Sequence, residues 1–143
     1  MIAPPGVAAA NFTAVAAGRA GRVAITFVGT GDPNAQDPNR PWNHYTVLST
    51  NALASDPTFL ATITNPGGPS DPVHRGACDG PCAGMLDYLS EPSLSPVGPG
   101  AVWAAAVDTC LPTSGCSAAS GTAAEAGDNQ GFVVRQLSGP WLR

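Results

Sequence analysis

Residues 15–27 of this chain recur in pattern at residues 94–106. In each copy a short apolar run is followed by a corner that contains glycine, and then by a second, alternating apolar run. At the same offset Gly21 falls on Gly100. The pattern predicts two β-hairpins, because glycine supplies the positive φ that a tight corner requires. We therefore expect the chain to contain at least two similar antiparallel units.

Each unit is predicted to be a small meander of strands. The first unit has four predicted strands, since its apolar and β-branched residues alternate between two faces. The second unit starts near residues 85–88, turns at 96–100, and lacks a fourth strand. Repeated four-stranded units are typical of the blades of a β-propeller. The four predicted strands of the first unit are residues 12–17, 22–29, 44–50 and 58–64.

The length of 143 residues is too short for a closed propeller, because a blade takes about 40–50 residues and closure needs about four blades or more. We therefore predict an all-β fragment with one blade at 1–70, a stapled loop at 65–84 and an incomplete blade at 85–143. The remaining blades of a longer chain would be its partners. The open sheet edge is expected near residues 131–137. The alternative is a sandwich of about seven strands, in which the two units face each other.

The composition excludes several classes of function. Only 11% of the residues are charged, while the chain has 17 glycines and 15 prolines, which favours short strands and rigid turns over helices. The net charge of −4 and the absence of a basic cluster argue against a nucleic-acid partner. No apolar run reaches about 18 residues, so no membrane span is predicted. The first ten residues do not read as a signal peptide.

The four cysteines form two close pairs, Cys78 with Cys82 and Cys110 with Cys116. Such spacings suit small disulfide-closed loops, each expected to stabilise the fold by about 2–3 kcal/mol. The competing interpretation is a zinc site of four thiolates, although these spacings differ from the CxxC knuckles of zinc ribbons. Disulfides predict an oxidising compartment, and hence a secreted, extracellular protein.

The segment 31–41 is a loop rich in proline, aspartate and asparagine. Asp32 and Asp37 offer oxygen ligands of the kind that calcium prefers, with Asn34 and Asn39 beside them. The alternative is that these side chains cap their own backbone in Asx-turns. The sequence thus predicts no cofactor, with calcium at Asp32 and Asp37 as the alternative.

Three stretches carry a resemblance to a known family. The string from Trp42 through residues 45–52 to residues 57–59 is followed by a loop at 71–78 and by Leu86-Asp87-Tyr88. With the closing residues 134–140, these resemble the C-terminal portion of actinobacterial sialidase-like (BNR-repeat) β-propeller proteins. The resemblance covers most of the chain, and its motifs are structural more than catalytic.

The resemblance implies a glycan-directed role, either exo-sialidase-like glycoside hydrolysis or a catalytically silent relative. The chain departs from the family at Ala83-Gly84, where the family has Arg-Asn, and it has no Asp-box pattern. A sialidase is expected to use an arginine triad, a tyrosine with a glutamate partner, and an acid/base aspartate, and that set is not complete here. The alternative function is a non-catalytic extracellular binding or scaffold propeller that engages carbohydrate, a glycoprotein or another protein.

Arg75, Asp87 and Tyr88 are the candidate catalytic residues. Arginine grips a carboxylate through two parallel hydrogen bonds, and a shielded aspartate can hold a proton near neutral pH. The structural alternative is an Arg75–Asp87 ion pair that anchors the 65–84 loop, with Tyr88 as a core residue. His74 is a candidate substrate-binding residue in the same loop.

Trp42 is the second candidate substrate-binding residue. Its position between a proline-rich loop and a predicted strand suggests an exposed loop edge, where the ring could stack on a sugar. Trp103 stands within an alanine run of a predicted strand, so it is expected in the core.

Overall fold

The computed structural model describes residues 2–37, 39–76, 91–110 and 130–143, hereafter the described residues. They form an all-β structure, without a helix in these ranges. The strands in chain order are β1 (Ala9–Ala17), β2 (Val23–Thr30), β3 (Pro41–Ser49), β4 (Leu60–Ile63), β5 (His74–Arg75), β6 (Glu91–Leu94), β7 (Val102–Asp108) and β8 (Gln130–Arg135).

The first sheet has the order β1-β2-β3-β4, and every neighbouring pair is antiparallel. The short strand β5 pairs with the beginning of β3, where Trp42 is the partner of His74. The predicted four-stranded meander is therefore confirmed. The largest differences are at the strand starts: β1 begins at Ala9 and β3 at Pro41, before the predicted residues 12 and 44, and β4 begins at Leu60, after the predicted residue 58.

The second sheet is a three-stranded antiparallel meander of order β6-β7-β8. Its β6–β7 corner repeats the β1–β2 corner of the first sheet. Gly21 and Gly100 both adopt a φ of 79°, a backbone conformation that residues with a Cβ rarely adopt. The expected pair of glycine corners is confirmed.

The two sheets pack face to face. Ala24 and Leu48 of the first sheet form one buried cluster with Val102 of the second. In a second cluster, Phe132 of β8 packs against Val28 and Trp42. Strand β6 lies beside β1 and β2, while a cleft opens between the sheets on the side of β4 and β8. The described residues form two facing antiparallel sheets and no closed ring, so the all-β prediction is confirmed and the propeller blades are not established.

The centre of the first sheet, at β2, is buried on both faces. On the side away from the second sheet, Ile25, Phe27 and Val47 form a cluster against which the N-terminal residues Ala3 and Val7 pack. Because β2 is covered on both sides, all of its residues after Val23 are buried. The N-terminal residues thus cover the part of the first sheet that faces away from the second.

The C-terminal segment joins the two glycine corners. The Arg19 N–H donates to the Leu142 carbonyl at 2.9 Å, and the Leu142 N–H donates to the Gly100 carbonyl at 3.3 Å. The Leu142 side chain is fully buried in the cluster shared by both sheets. The guanidinium of Arg22 also donates to the Trp141 carbonyl. These contacts fasten the sheets at the corner end of the strands.

A second set of contacts fastens the opposite end. The Thr109 N–H donates to the Val73 carbonyl at 2.9 Å, and the Val73 N–H donates to the Trp42 carbonyl at 2.9 Å. The part of the predicted 65–84 loop that is described, residues 65–76, is therefore tied into the sheets. Residues 77–84, with the first cysteine pair, lie outside the described residues.

Candidate functional site

A concave feature that both sheets line is the inter-sheet cleft, which has a volume of about 370 Å³. It lies where the sheets diverge, between the outer strands β4 and β8. Its lining combines aliphatic side chains with hydroxyl groups. The lining residues from the first sheet are Thr46, Leu48, Leu60, Thr62 and Thr64, and those from the second are Val102, Ala104, Val134 and residues 135–139.

The hydroxyl groups of the cleft are connected to a buried histidine. Thr46 and Thr64 approach each other with their Oγ1 atoms 3.2 Å apart, and the Thr64 Oγ1 lies 2.7 Å from His44 Nδ1. His44 is fully buried, with its ring edge-on to Phe132 at 5.6 Å between centroids. Burial lowers the pKa of His44 from 6.5 to about 4, so the ring is neutral at pH 7. The wall that the first sheet contributes to the cleft is therefore uncharged.

Asn65 organises the backbone behind these hydroxyls. Its Oδ1 accepts the His44 N–H at 2.8 Å, while its Nδ2 donates to Asn43 Oδ1 at 2.7 Å and to the Asp71 carbonyl at 2.8 Å. One buried amide thus fixes the beginning of β3 and the turn that follows β4. Such a network is rigid because every group in it has a partner.

The opposite rim is held by Gln136. Its Oε1 accepts the Val102 N–H at 3.1 Å, and its Nε2 donates to the Pro140 carbonyl at 2.8 Å. Beyond it, Leu137 is 82% exposed and forms the lip of the cleft. The rim therefore presents an apolar side chain on a fixed turn.

The lining carries no acid–base pair. Of the described residues that line the cleft, none is Asp, Glu, His or Cys, and the one charged side chain is Arg135. Its guanidinium carbon lies 5.3 Å from the centre of the Trp103 ring. General acid–base chemistry needs a titratable group within hydrogen-bonding reach of the substrate. The described lining therefore contains no such group apart from Arg135.

Trp42 and Trp103 occupy positions opposite to those expected. Trp42 is 1% exposed, donates its indole N–H to the Gly76 carbonyl at 2.9 Å, and lies 4.8 Å from the guanidinium carbon of Arg40. Trp103 is 39% exposed. The expected loop edge for Trp42 and core position for Trp103 are both wrong. As placed, Trp42 has no open face for a sugar ring.

His74 and Arg75 lie together on β5, away from the cleft lining. His74 is 1% exposed with its Nδ1 2.8 Å from Thr109 Oγ1, and burial lowers its pKa from 6.5 to about 4. Arg75 donates through Nη1 to the Asn39 carbonyl at 3.3 Å, and its buried Nε has no hydrogen-bond partner among the described residues. Here His74 serves the packing of the sheets. Asp87 and Tyr88 lie outside the described residues.

The aspartates of the 31–41 loop cap their own backbone. Asp32 Oδ1 accepts the Asn34 N–H at 2.8 Å, and Asp37 Oδ1 accepts the Asn39 N–H at 2.8 Å. These are the Asx-turns of the alternative interpretation. Within the described ranges no group of three or more His, Cys, Asp or Glu residues is found. Calcium at Asp32 and Asp37 stays a prediction.

Of the cysteines, Cys110 is the one that falls within the described ranges. It is 4% exposed and disulfide-bonded, and its N–H donates to Asp108 Oδ1 at 2.8 Å. Cys78, Cys82 and Cys116 lie outside the described residues. The pairings Cys78–Cys82 and Cys110–Cys116 therefore stay predictions.

The cleft residues were not singled out from the sequence, although part of the signal is there. Thr46 and Leu48 share one face of β3 because they are two residues apart in a strand. Thr46 pairs with Thr62 of β4. What the sequence does not show is that β8 lies opposite this face. The cleft depends on that pairing of sheets.

Comparisons with protein-family models, curated proteins and solved structures found no match. The resemblance to sialidase-like propellers therefore stays a prediction. A search for membrane spans in the described ranges found no helix of sufficient length and hydropathy.

Proposed function

We propose that this chain is a non-catalytic binding module that holds a segment of a partner protein in the inter-sheet cleft. The observation that carries the proposal is the cleft itself, with an aliphatic floor, threonine hydroxyls on one wall and no acid–base pair in its described lining. Binding sites of this size are mostly apolar with a few fixed polar groups. The network around Asn65 supplies that fixed geometry.

The lining favours a protein segment over a sugar. Carbohydrate sites use the flat faces of aromatic rings, which match the apolar face of a sugar, and the described residues of the lining include no aromatic ring. Leu48, Leu60 and Val134 instead offer aliphatic surface on both sheets. That surface suits the aliphatic side chains of a peptide.

We also propose that the chain is part of an extracellular β-propeller. Corresponding strands of the two units lie against each other, since β6 packs on β1 and β2, and the two corner glycines share one conformation. Both facts support two consecutive units of one repeat. The disulfide at Cys110 supports an oxidising compartment. Sialidase-like hydrolysis stays the alternative, because Asp87 and Tyr88 lie outside the described residues.

The test is a selection of peptides on the intact chain from a displayed library, followed by titration of the selected peptides. We expect binding to be lost in Leu60→Arg and Thr62→Arg, which place a long cation in the cleft. Leu53→Arg is the matched control, because Leu53 is 80% exposed and does not line the cleft. NMR shifts of a labelled chain should map to Thr46, Thr62 and Thr64.

Three results would overturn the proposal. Selected peptides that bind all variants equally would place their site elsewhere. Binding on a glycan array that Thr62→Arg abolishes would make the chain a carbohydrate-binding module. Turnover of a fluorogenic sialoside, lost in Asp87→Asn but not in Thr62→Arg, would establish the hydrolase alternative.

A further inference from the structure

Strand β8 forms an edge without the features that usually protect one. Among the described residues it pairs with β7 alone. Strand β8 (Gln130–Arg135) contains no proline and carries a single charge, at its end. Its pairing with β7 has no register shift. Exposed edges of this kind invite pairing with another strand, and proteins normally prevent it.

The other outer strands do carry such protection. Strand β1 has a register shift between Asn11 and Ala14, with Phe12 at a φ of 55°. Strand β6 contains Pro92, and β4 is only four residues long. Bulges, prolines and short length all blunt an edge. Their absence from β8 indicates that this edge has a partner.

The repeat specifies where that partner strand would lie. Ile25 pairs with Val47, and at the offset of the repeat Ala104 pairs with Val134. Val134 therefore corresponds to Val47, whose partner in the next strand is Ala61 of β4. The second sheet has no described strand at the position that β4 holds in the first.

The inter-sheet cleft lies at this position. Val134 lines the cleft, and Phe132 lies on the same face of β8, packed against the buried cluster of the first sheet. Cross-strand partners share a face of a sheet. A strand added to β8 would thus direct the residues opposite Phe132 and Val134 into the cleft, and the residue between them outward.

We infer that the partner segment is an extended strand that adds antiparallel to β8 and fills the cleft with two aliphatic side chains spaced two residues apart. The inference rests on the proposed function and names its ligand. Main-chain hydrogen bonds would supply affinity, and the two inward positions would supply selectivity, as in other cases of strand addition. The residue between them is free to be polar.

The probe is a synthetic peptide with the sequence of residues 58–64, Thr-Phe-Leu-Ala-Thr-Ile-Thr, which includes β4, the strand that the repeat makes equivalent. On binding, we expect amide hydrogen exchange to slow at least about tenfold along β8 and to stay unchanged in β1. A scrambled peptide is the first control. The Thr62→Arg chain is the second, and it should not be protected.

Two N-methylated forms of the peptide make the test specific for strand addition. Alternate amides of an edge-bound strand point toward β8, so methylating one alternate set should weaken binding about tenfold or more. Methylating the other set should change it little. Equal effects of both sets, or binding without protection of β8, would overturn the inference.

The two proposals fail in different ways. If the selected peptides bind in the cleft without protecting β8, strand addition is wrong and the binding function stands. If no peptide binding depends on Leu60 and Thr62, the proposed function fails as well.

Discussion

Lowering the pH from 7.5 to 5 should strongly destabilise this protein through His44 and His74. Both side chains are buried beside hydroxyl groups, His44 at Thr64 and His74 at Thr109. Burial lowers the pKa of each from 6.5 to about 4, because a buried cation loses its hydration. The folded state therefore holds both rings neutral over a range in which the unfolded chain protonates them.

The magnitude follows from proton linkage. A base whose pKa is depressed on folding contributes no penalty above its unfolded pKa and costs stability as the pH falls from about 6.5 toward about 4. At pH 5 each histidine should cost about 2 kcal/mol, and the pair about 4 kcal/mol. For a domain of this size, that corresponds to a fall in Tm of roughly 10–15 °C. Burial also raises the pKa of Asp108, which opposes the loss at the acid end.

The assay is urea denaturation followed by tryptophan fluorescence at pH 7.5, 6.0 and 5.0, since Trp42 is buried and should report unfolding. The double variant His44→Asn, His74→Asn keeps a polar atom near each Nδ1 and removes both titrations. Its stability at pH 7.5 will be lower, so the comparison is the change between pH 7.5 and 5. A wild-type loss below about 1 kcal/mol, or an equal loss in the double variant, would refute the reasoning.

Two substitutions test the packing around the site by denaturant unfolding. Leu142→Ala should cost about 2–5 kcal/mol, because a fully buried side chain leaves a cavity in the cluster shared by both sheets, whereas Leu137→Ala, at an 82% exposed residue, should cost almost nothing. A loss at Leu142 no larger than that at Leu137 would contradict the fastening of the corners. Asn65→Ala should cost about 2–3 kcal/mol, because it leaves the buried His44 N–H without its acceptor, and Asn34→Ala in an exposed turn is the control; equal losses would mean that water replaces the Asn65 amide.

The strand pattern could be predicted because each strand carries its own alternation. Ile25 and Phe27 fall on one face of β2 and Ala24 on the other, which the sequence shows without any knowledge of pairing. The corner glycines were predictable for the same reason, since the required φ is a local property. Elements fixed by neighbours in the chain are the ones that sequence reasoning finds.

The burial of Trp42 and Trp103 could not be predicted from local alternation alone. The predicted start of β3 at residue 44 places Trp42 outside the strand, whereas Trp42 and His44 share one inward face of β3 and both are buried. In β7 the inward set begins at Val102, which sends Trp103 outward despite its size. Which alternate set faces inward depends on where the other sheet lies, and the candidate cleft depends on the same fact.

The contacts that hold the two sheets together are distributed unevenly around the cleft. Hydrogen bonds through Leu142 and through Thr109 join the sheets at the two ends of the strands. On the side opposite the cleft, β6 packs against β1. Along the open side, no hydrogen bond in the described part of the chain joins β4 to β8. The separation of β4 and β8 is therefore set by contacts at the strand ends and between β6 and β1, so substitutions at those contacts should alter the width of the cleft while leaving its lining untouched.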